Sequence, residues 1–311
     1  MDDERQVQRL LTRADQARAH GDWASAIDAV RAALAIDPDH AVAHAALALA
    51  LLGGRRLHGA GLEARTALGL DGGAPFCHLA MAAVLRAERE LDLAWEHCLV
   101  AIGAEAELVE AHVLGAEIQA LRGDHASARE QLDRALELVP DHAGALTALA
   151  ELELELGHLD AAADRAAAAL AVEPGHLAAH VVAGWIGLRR GAIEVAEDHA
   201  RFALREDPGS EAALRLLGGI KARRSLLLGA WWRFNAFVSM RSDGGKLGLL
   251  IGTFVIARLA IIVAGALGLD RLERALDLGW LGFCVYTWVA PVLFRRMLAA
   301  ELRSVTLRDD F

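Results

Sequence analysis

The sequence predicts an all-α protein, built as a solenoid of helical hairpins followed by a two-helix membrane hairpin. A 34-residue unit repeats along the chain, so that stepping by 34 from Pro140 reaches Pro174 and Pro208 in one direction and Pro38 in the other. The composition favours helices, because Ala and Leu are abundant whereas Tyr, a strand former, occurs only once. The third observation is a long apolar run at residues 247–269 near the C-terminus.

Each 34-residue copy predicts a helix, a turn, a second helix and a stop. The copies begin at Val7, Ala41, Pro75, Val109, Ala143 and Leu177. Positions 20 and 27 are alanine in all of them, which lets neighbouring helices pack closely. Glycine supplies the turn in four copies, and proline at position 32 ends the second helix in four, because proline lacks an N–H and disfavours helix in the residue before it.

These features resemble the tetratricopeptide repeat, with six copies over residues 7 to about 210. Two departures weaken single copies. Position 4 lacks the aromatic residue of the family and carries Leu10, His44, His78, His112, Leu146 and His180, and copies two and three lack the proline at position 32. The resemblance implies a right-handed superhelix whose first helices line a concave groove that binds a protein or peptide ligand.

The family register implies which side chains face this groove. Positions 2, 5, 9 and 12 of the first helix tend to do so. In copies four to six they include Glu110, Val113, Glu117, Thr147, Glu151, Val181 and Trp185. This surface is apolar with an acidic middle. The alternative is that the glutamates are ordinary solvated residues on a helix surface.

No catalytic or metal-binding motif stands out. All thirteen histidines lie in the array, and His40/His44 and His176/His180 are spaced four apart on helices. A zinc site needs a third or fourth ligand that the sequence does not supply. Instead, His40, His142 and His176 are expected to occupy the turn before a first helix, and His44, His112 and His180 the half-buried position 4. We predict no catalytic residues, no cofactor and no metal, and hence no enzyme.

Charge and cysteine usage restrict the partners and the compartment. The net charge is −10, and the acidic excess lies entirely in residues 1–224, so nucleic acid binding is not expected. The three cysteines show no paired spacing, which favours a reducing compartment. The acidic N-terminus lacks the apolar core of a secretory signal.

After the last repeat the sequence changes character. Residues 1–224 are expected to form the solenoid, closed by a seventh, solvating helix at 210–224. Residues 225–246 are interpreted as an interfacial amphipathic segment, since Trp231 and Trp232 suit the depth of lipid headgroups. A buried core helix is the alternative for this segment.

Residues 247–311 are expected to form a transmembrane hairpin and a cytoplasmic tail. The run at 247–269 is long enough to cross a bilayer, and a second run at 278–294 returns after a connection at Asp270–Asp277. More basic residues flank the hairpin than lie in its loop, which places the repeats and the C-terminus in the cytoplasm. A bacterial-type inner membrane is the expected location.

Arg258 lies in the middle of the first predicted span. A central arginine costs about 2.5–3.5 kcal/mol, so its side chain should face protein or water. At the same depth the second span offers Tyr286 and Thr287 as partners. Small residues such as Gly248 and Gly252 also predict a homo-oligomer formed through the membrane helices.

Two functions of different classes agree with these features. The first is a membrane-anchored scaffold or adaptor, whose groove recruits a cytoplasmic protein or peptide to the bilayer. The alternative is a subunit of an oligomeric membrane pore or transport complex, in which the hairpin is the effector and the repeats regulate it.

Overall fold

The computed structural model describes residues 2–19, 21–224, 254, 258–267, 269 and 271–282. No strand occurs among them. The array consists of thirteen helices: α1 (Asp2–Ala19), α2 (Trp23–Ile36), α3 (Ala41–Gly53), α4 (Leu57–Leu70), α5 (Pro75–Glu88), α6 (Leu91–Ala104), α7 (Val109–Arg122), α8 (His125–Leu138), α9 (Ala143–Leu156), α10 (Leu159–Val172), α11 (Leu177–Arg190), α12 (Ile193–Glu206) and α13 (Glu211–Arg224). Two further helical stretches cover residues 258–266 and 271–282.

The chain divides into two compact units, Met1–Ile186 and Gly187–Phe311. In the first unit each odd-numbered helix packs against the even-numbered helix that follows it, and then against the next odd-numbered helix. The odd-numbered helices are the first helices of the predicted copies, so they form one continuous layer and the even-numbered helices form the other. The predicted solenoid of helical hairpins is confirmed.

Alanine at two fixed positions lets the hairpins approach one another. Every alanine at positions 20 and 27 is 0% or 1% exposed: Ala26, Ala33, Ala60, Ala67, Ala94, Ala101, Ala128, Ala135, Ala162, Ala169, Ala196 and Ala203. Ala169, for example, packs against Leu146 of its own copy and Ala179 of the next. A larger side chain has no space at these contacts.

The turn inside each copy needs a left-handed backbone at position 15. Gly21, Gly123, Gly157 and Gly191 meet this need with φ between 72° and 84°. Copies two and three place Arg55 and Arg89 there, with φ of 60° and 68°. Because a side chain with a Cβ is disfavoured in this conformation, these two turns are strained relative to the other four.

Side chains cap many of the helices. Asp22 and Asp124 accept the backbone N–H three residues on, each at 3.0 Å, at the starts of α2 and α8. Three histidines do the same for first helices through Nδ1: His40 at 3.1 Å, His142 at 3.0 Å and His176 at 3.3 Å. The sequence prediction that these three histidines occupy the turn before a first helix is therefore confirmed, and capping is their role in that turn.

In the second unit, α12 and α13 pack together around a buried carboxylate. Glu197 is only 4% exposed, and it pairs with Arg201 at 2.8 Å, Arg224 at 2.7 Å and Lys221 at 3.7 Å. Its negative charge is thus surrounded by cations. The helix predicted at 210–224 is present as α13.

The prediction for the connection between the two apolar runs is wrong. Residues 271–277 of the predicted Asp270–Asp277 loop are helical, as part of 271–282. Among the described residues, no helix has the length and apolar character needed to cross a membrane. Most of residues 225–257 and all of 283–311 lie outside the described residues, and Trp231, Trp232, Tyr286 and Thr287 are among them.

Arg258 has a different neighbour from the predicted ones. Its Nη1 lies 3.8 Å from Oδ1 of Asp277, and both side chains are more than half exposed. Asp277 belongs to the helical stretch that replaces the predicted loop. Contacts of Arg258 with Tyr286 and Thr287 stay a prediction, and so does the pore function, which rests on the central Arg258 and the small residues of the first predicted span.

Candidate functional site

The first helices α1, α3, α5 and α7 enclose a groove with a volume of about 540 Å³. We call it the apolar groove. Its apolar lining consists of Leu11, Val42, Ala46, Leu49, Phe76, Leu79, Ala83, Val113 and Leu114, with Ala14, Ala50 and Leu108 beside them. Val42 is 38% exposed, so part of this lining is open to solvent. Apolar surface exposed inside a concavity is typical of a binding site.

Polar side chains surround the apolar groove, and most of the charged ones are paired. Asp15 binds Arg18 at 2.7 Å, and Glu117 forms an ion pair with Arg86 of α5. Glu110 is exposed at the rim.

A second cavity, of about 240 Å³, continues from the first, because Glu117 lines both. We call it the acidic niche. Helices α5, α7, α8 and α9 form it, and its lining combines small or apolar residues with four charged ones. The charged residues are Arg86, Glu117, Glu151 and Glu155. Three carboxylates thus share the niche with one guanidinium.

Glu151 has a perturbed acidity. Desolvation raises the pKa of its carboxyl group to about 7, and the nearby charge of Glu155 adds to this effect, whereas Arg86 opposes it. Glu151 is exposed by surface area, yet it lines a concavity formed by four helices, which limits the access of water to its carboxyl group. Burial also lowers the pKa of Arg86, against the influence of Glu151.

The predicted groove residues divide into two groups. Glu110, Val113, Glu117 and Glu151 line the apolar groove or the acidic niche. That these residues bind a partner stays a prediction.

Three predicted groove residues are placed differently. Thr147 and Val181 are buried, at 3% and 8% exposed, so the prediction that they face the groove is wrong. Thr147 Oγ1 donates to the carbonyl of Ala143 and lies 3.4 Å from Nδ1 of His176, the residue that caps the first helix of the next copy, so position 5 turns toward the neighbouring hairpin here. Trp185 is half-buried and packs on the core beside Ile186.

Sequence reasoning missed the part of the site that lies in copies one to three. The same register, applied to these copies, selects Val42 and Phe76 at position 2, Leu49 at position 9 and Arg86 at position 12. All four line one of the two cavities. The signal was therefore present in the repeat.

The family model of the tetratricopeptide repeat matches residues 11–75, 121–164 and 147–211, just over half of the chain. The protein belongs to the tetratricopeptide repeat family. Proteins of this family are protein-interaction scaffolds. A search of curated proteins gives no match.

Several solved structures share the fold. A thermophilic tetratricopeptide repeat protein of Thermus thermophilus is 24% identical, with a TM-score of 0.53 over 58% of this chain and 99% of that one. A tetratricopeptide repeat protein from Parabacteroides merdae is 17% identical, with a TM-score of 0.50 over 77% and 94%. PilW, a type IV pilus biogenesis factor, is 17% identical, with a TM-score of 0.50 over 68% and 98%. At these identities the likeness extends to the fold alone.

Histidine takes the place of the tetratricopeptide repeat aromatic at position 4 and links three parts of the chain. In His44, His78, His112 and His180 the ring Nε2 lies 2.8–3.1 Å from the carbonyl oxygen six residues earlier, at position 32 of the preceding copy. In His44, His78 and His112, the ring Nδ1 lies within hydrogen-bond distance of a side chain nineteen residues later, on the second helix of the same copy. These histidines therefore tie consecutive tetratricopeptide repeats together.

The partner of Nδ1 differs between copies. Nδ1 of His44 lies 2.6 Å from a carboxylate oxygen of Glu63, and Nδ1 of His78 lies 2.9 Å from Nδ1 of His97. Nδ1 of His112 lies 2.9 Å from the amide oxygen of Gln131. Burial lowers the pKa of His97, and His78 lowers it further.

Neither thiols nor metal ligands form a reactive centre in the described part of the chain. Cys77 and Cys98 are buried, and burial raises the pKa of their thiols to about 11 and about 12, so both stay protonated and unreactive. No group of three or more potential metal ligands occurs among the described residues.

Proposed function

We propose that this protein is a non-enzymatic scaffold that binds a peptide segment of a partner protein in the apolar groove. One observation carries the proposal: four consecutive first helices present apolar side chains to an open concavity of about 540 Å³. Such surface is costly to leave in contact with water, and a bound apolar segment covers it. The scaffold function of the family supports the same conclusion.

A peptide rather than a globular surface suits the shape of the site. The apolar groove runs across α1, α3, α5 and α7, so its lining extends over four copies. An extended or helical segment lies along such a surface and contacts each copy in turn, as solenoid proteins commonly allow.

We also propose that the C-terminal part attaches the scaffold to the cytoplasmic side of a membrane. The apolar runs at residues 247–269 and 278–294 support this proposal, together with the basic residues that flank them. Protease added to sealed inverted vesicles is expected to digest the repeats. Digestion only after the vesicles are opened would contradict this orientation.

Panning of a displayed peptide library against the full-length protein tests the binding function. Selected peptides should lose affinity for Val42→Glu, because the new charge lies in the apolar groove, and the loss should be at least about tenfold. Leu62→Glu is the matched control, since Leu62 is 50% exposed on α4, away from the groove. Peptides that bind Val42→Glu and the wild type equally well would contradict the proposal.

A further inference from the structure

The apolar groove and the acidic niche form one surface with two different characters. Glu117 belongs to both, so a segment that leaves the apolar groove along α7 reaches the niche directly. One end of this surface is apolar and the other carries Glu117, Glu151 and Glu155. A ligand that matches the whole surface must match both ends.

The charges in the niche are not balanced. The guanidinium of Arg86 contacts Glu117. Within the described residues, Glu151 and Glu155 have neither a hydrogen bond nor an ion pair to their carboxylates. Helix α8 contributes only Ala128 and Leu132 to the niche, so it brings no compensating cation.

The niche also has space for a long side chain. Its small lining residues are Ala116, Ala120, Ala128 and Ala148, and they leave about 240 Å³ open. Arg86 already reaches into it from α5, so a guanidinium is compatible with its shape.

We propose that the site selects a basic amphipathic peptide, whose apolar side chains enter the apolar groove and whose lysine or arginine enters the acidic niche between Glu151 and Glu155. This inference rests on the proposed peptide-binding function and specifies the partner. A cation there gains two carboxylates as partners and supplies the charge that the niche lacks. An acidic or phosphorylated segment is repelled at the same place.

The acidity of Glu151 adds a signature to this proposal. Its pKa of about 7 means that the carboxyl group is mostly ionised above neutral pH and mostly protonated below it. The groups that face it are Arg86 from α5, Glu117 from α7 and Glu155 from α9. A bound cation favours the ionised form, so a basic peptide should bind more weakly as the pH falls through 7.

Three fluorescent model peptides of equal length test the inference on the full-length protein. They carry leucine at the same helical positions, and their polar positions are all lysine, all glutamine or all glutamate. By fluorescence anisotropy at roughly 0.15 M salt, the lysine peptide should bind about tenfold tighter than the glutamine peptide. The glutamate peptide should bind most weakly. Acidification from about pH 8 to about pH 6 should lower the affinity for the lysine peptide by up to about tenfold.

Two variants separate a specific niche from general attraction to an acidic protein. Glu151→Gln should reduce binding of the lysine peptide to the level of the glutamine peptide and remove most of its pH dependence. Glu130→Gln removes the same charge from the exposed surface of α8. It should change neither the affinity for the lysine peptide nor the pH dependence of that affinity. Equal effects of the two variants would overturn the inference.

The outcomes also separate this inference from the proposed function. If the lysine and glutamine peptides bind equally and Val42→Glu weakens both, peptide binding stands and the preference for a cation is refuted. If no peptide binds, or binding survives Val42→Glu, the proposed function fails and the inference fails with it.

Discussion

At the scale of single residues, position 15 of the repeat shows how a backbone conformation selects an amino acid. Glycine occupies it in four copies and arginine in two, all with positive φ. No neighbouring atom lies within 4 Å of a Cβ added at Gly123, so any cost of a side chain there comes from the backbone alone. The position therefore isolates conformational strain from packing.

Replacement of this glycine should destabilise the protein. We expect Gly123→Ala to lower the free energy of unfolding by about 1 kcal/mol, because alanine is disfavoured at positive φ. Gly69→Ala is the control: Gly69 lies in helix α4 with equally open surroundings, and alanine there should stabilise by about 0.5–1 kcal/mol. Urea unfolding measures both changes. If the two variants changed the free energy of unfolding in the same direction, the assignment of strain to position 15 would be contradicted.

One capping histidine, His176, makes the stability of the fold depend on pH. Burial lowers the pKa of His176, His142 and His180 lower it further, and Glu173 opposes them. Since the folded pKa lies below the unfolded value of about 6.5, the unfolded chain takes up the proton first. The stability that neutral His176 contributes is fully present above about pH 6.5 and is lost as the pH falls below this value.

An asparagine cap should remove this part of the acid sensitivity. Asparagine accepts the same backbone N–H without titrating, and a lost cap costs about 1 kcal/mol. We expect His176→Asn to match the wild type in urea unfolding at about pH 8 and to lose less stability at about pH 5. His58→Asn, at an exposed position of α4, should keep the wild-type pH dependence. If His176→Asn lost as much stability as the wild type between these two pH values, the capping account would be refuted.

At the scale of helices, the array depends on contacts that only alanine permits. Ala169 of α10 packs on Leu146 of α9 and on Ala179 of α11. A substitution here affects the copy that contains it and the interface with the following copy. In a solenoid the stability is approximately a sum of such repeat and interface contributions.

Overpacking at this contact should be costly. We expect Ala169→Leu to lower the free energy of unfolding by about 1–3 kcal/mol, since leucine has no space between α9 and α11. Ala167→Leu, on the exposed surface of the same helix, should change it by less than about 0.5 kcal/mol. Chemical denaturation of both variants provides the comparison, and a tolerant Ala169 would show that the interface adapts.

At the scale of the whole molecule, the repeat array could be predicted from its period, whereas most of the expectations for the chain after α13 stay predictions. A 34-residue period fixes which positions meet in successive copies, so the turns, the buried alanines and the layer of first helices followed from the sequence. The period did not give the start of α1, which begins at Asp2 and therefore before the predicted start of copy one at Val7. The apolar groove needed only the same register in copies one to three, where it selects Val42 and Phe76.

The errors arise where contacts are not set by the period. Position 5 faces the groove at Val113 but is buried at Thr147, because the neighbouring hairpin covers it there. Arg89 has a positive φ because it stands at the turn position that glycine occupies in four other copies. Beyond α13 no repeat constrains the interpretation, and the predicted Asp270–Asp277 loop proved largely helical.

The central claim is that a peptide lies along the apolar groove, and photo-crosslinking tests it most directly. A photoreactive amino acid is placed at position 42 in the groove or at position 62 on α4, and the full-length protein is irradiated with a peptide selected from the library. Mass spectrometry should find the peptide crosslinked at position 42 and not at position 62. Crosslinks at position 62 with none at position 42 would contradict the account.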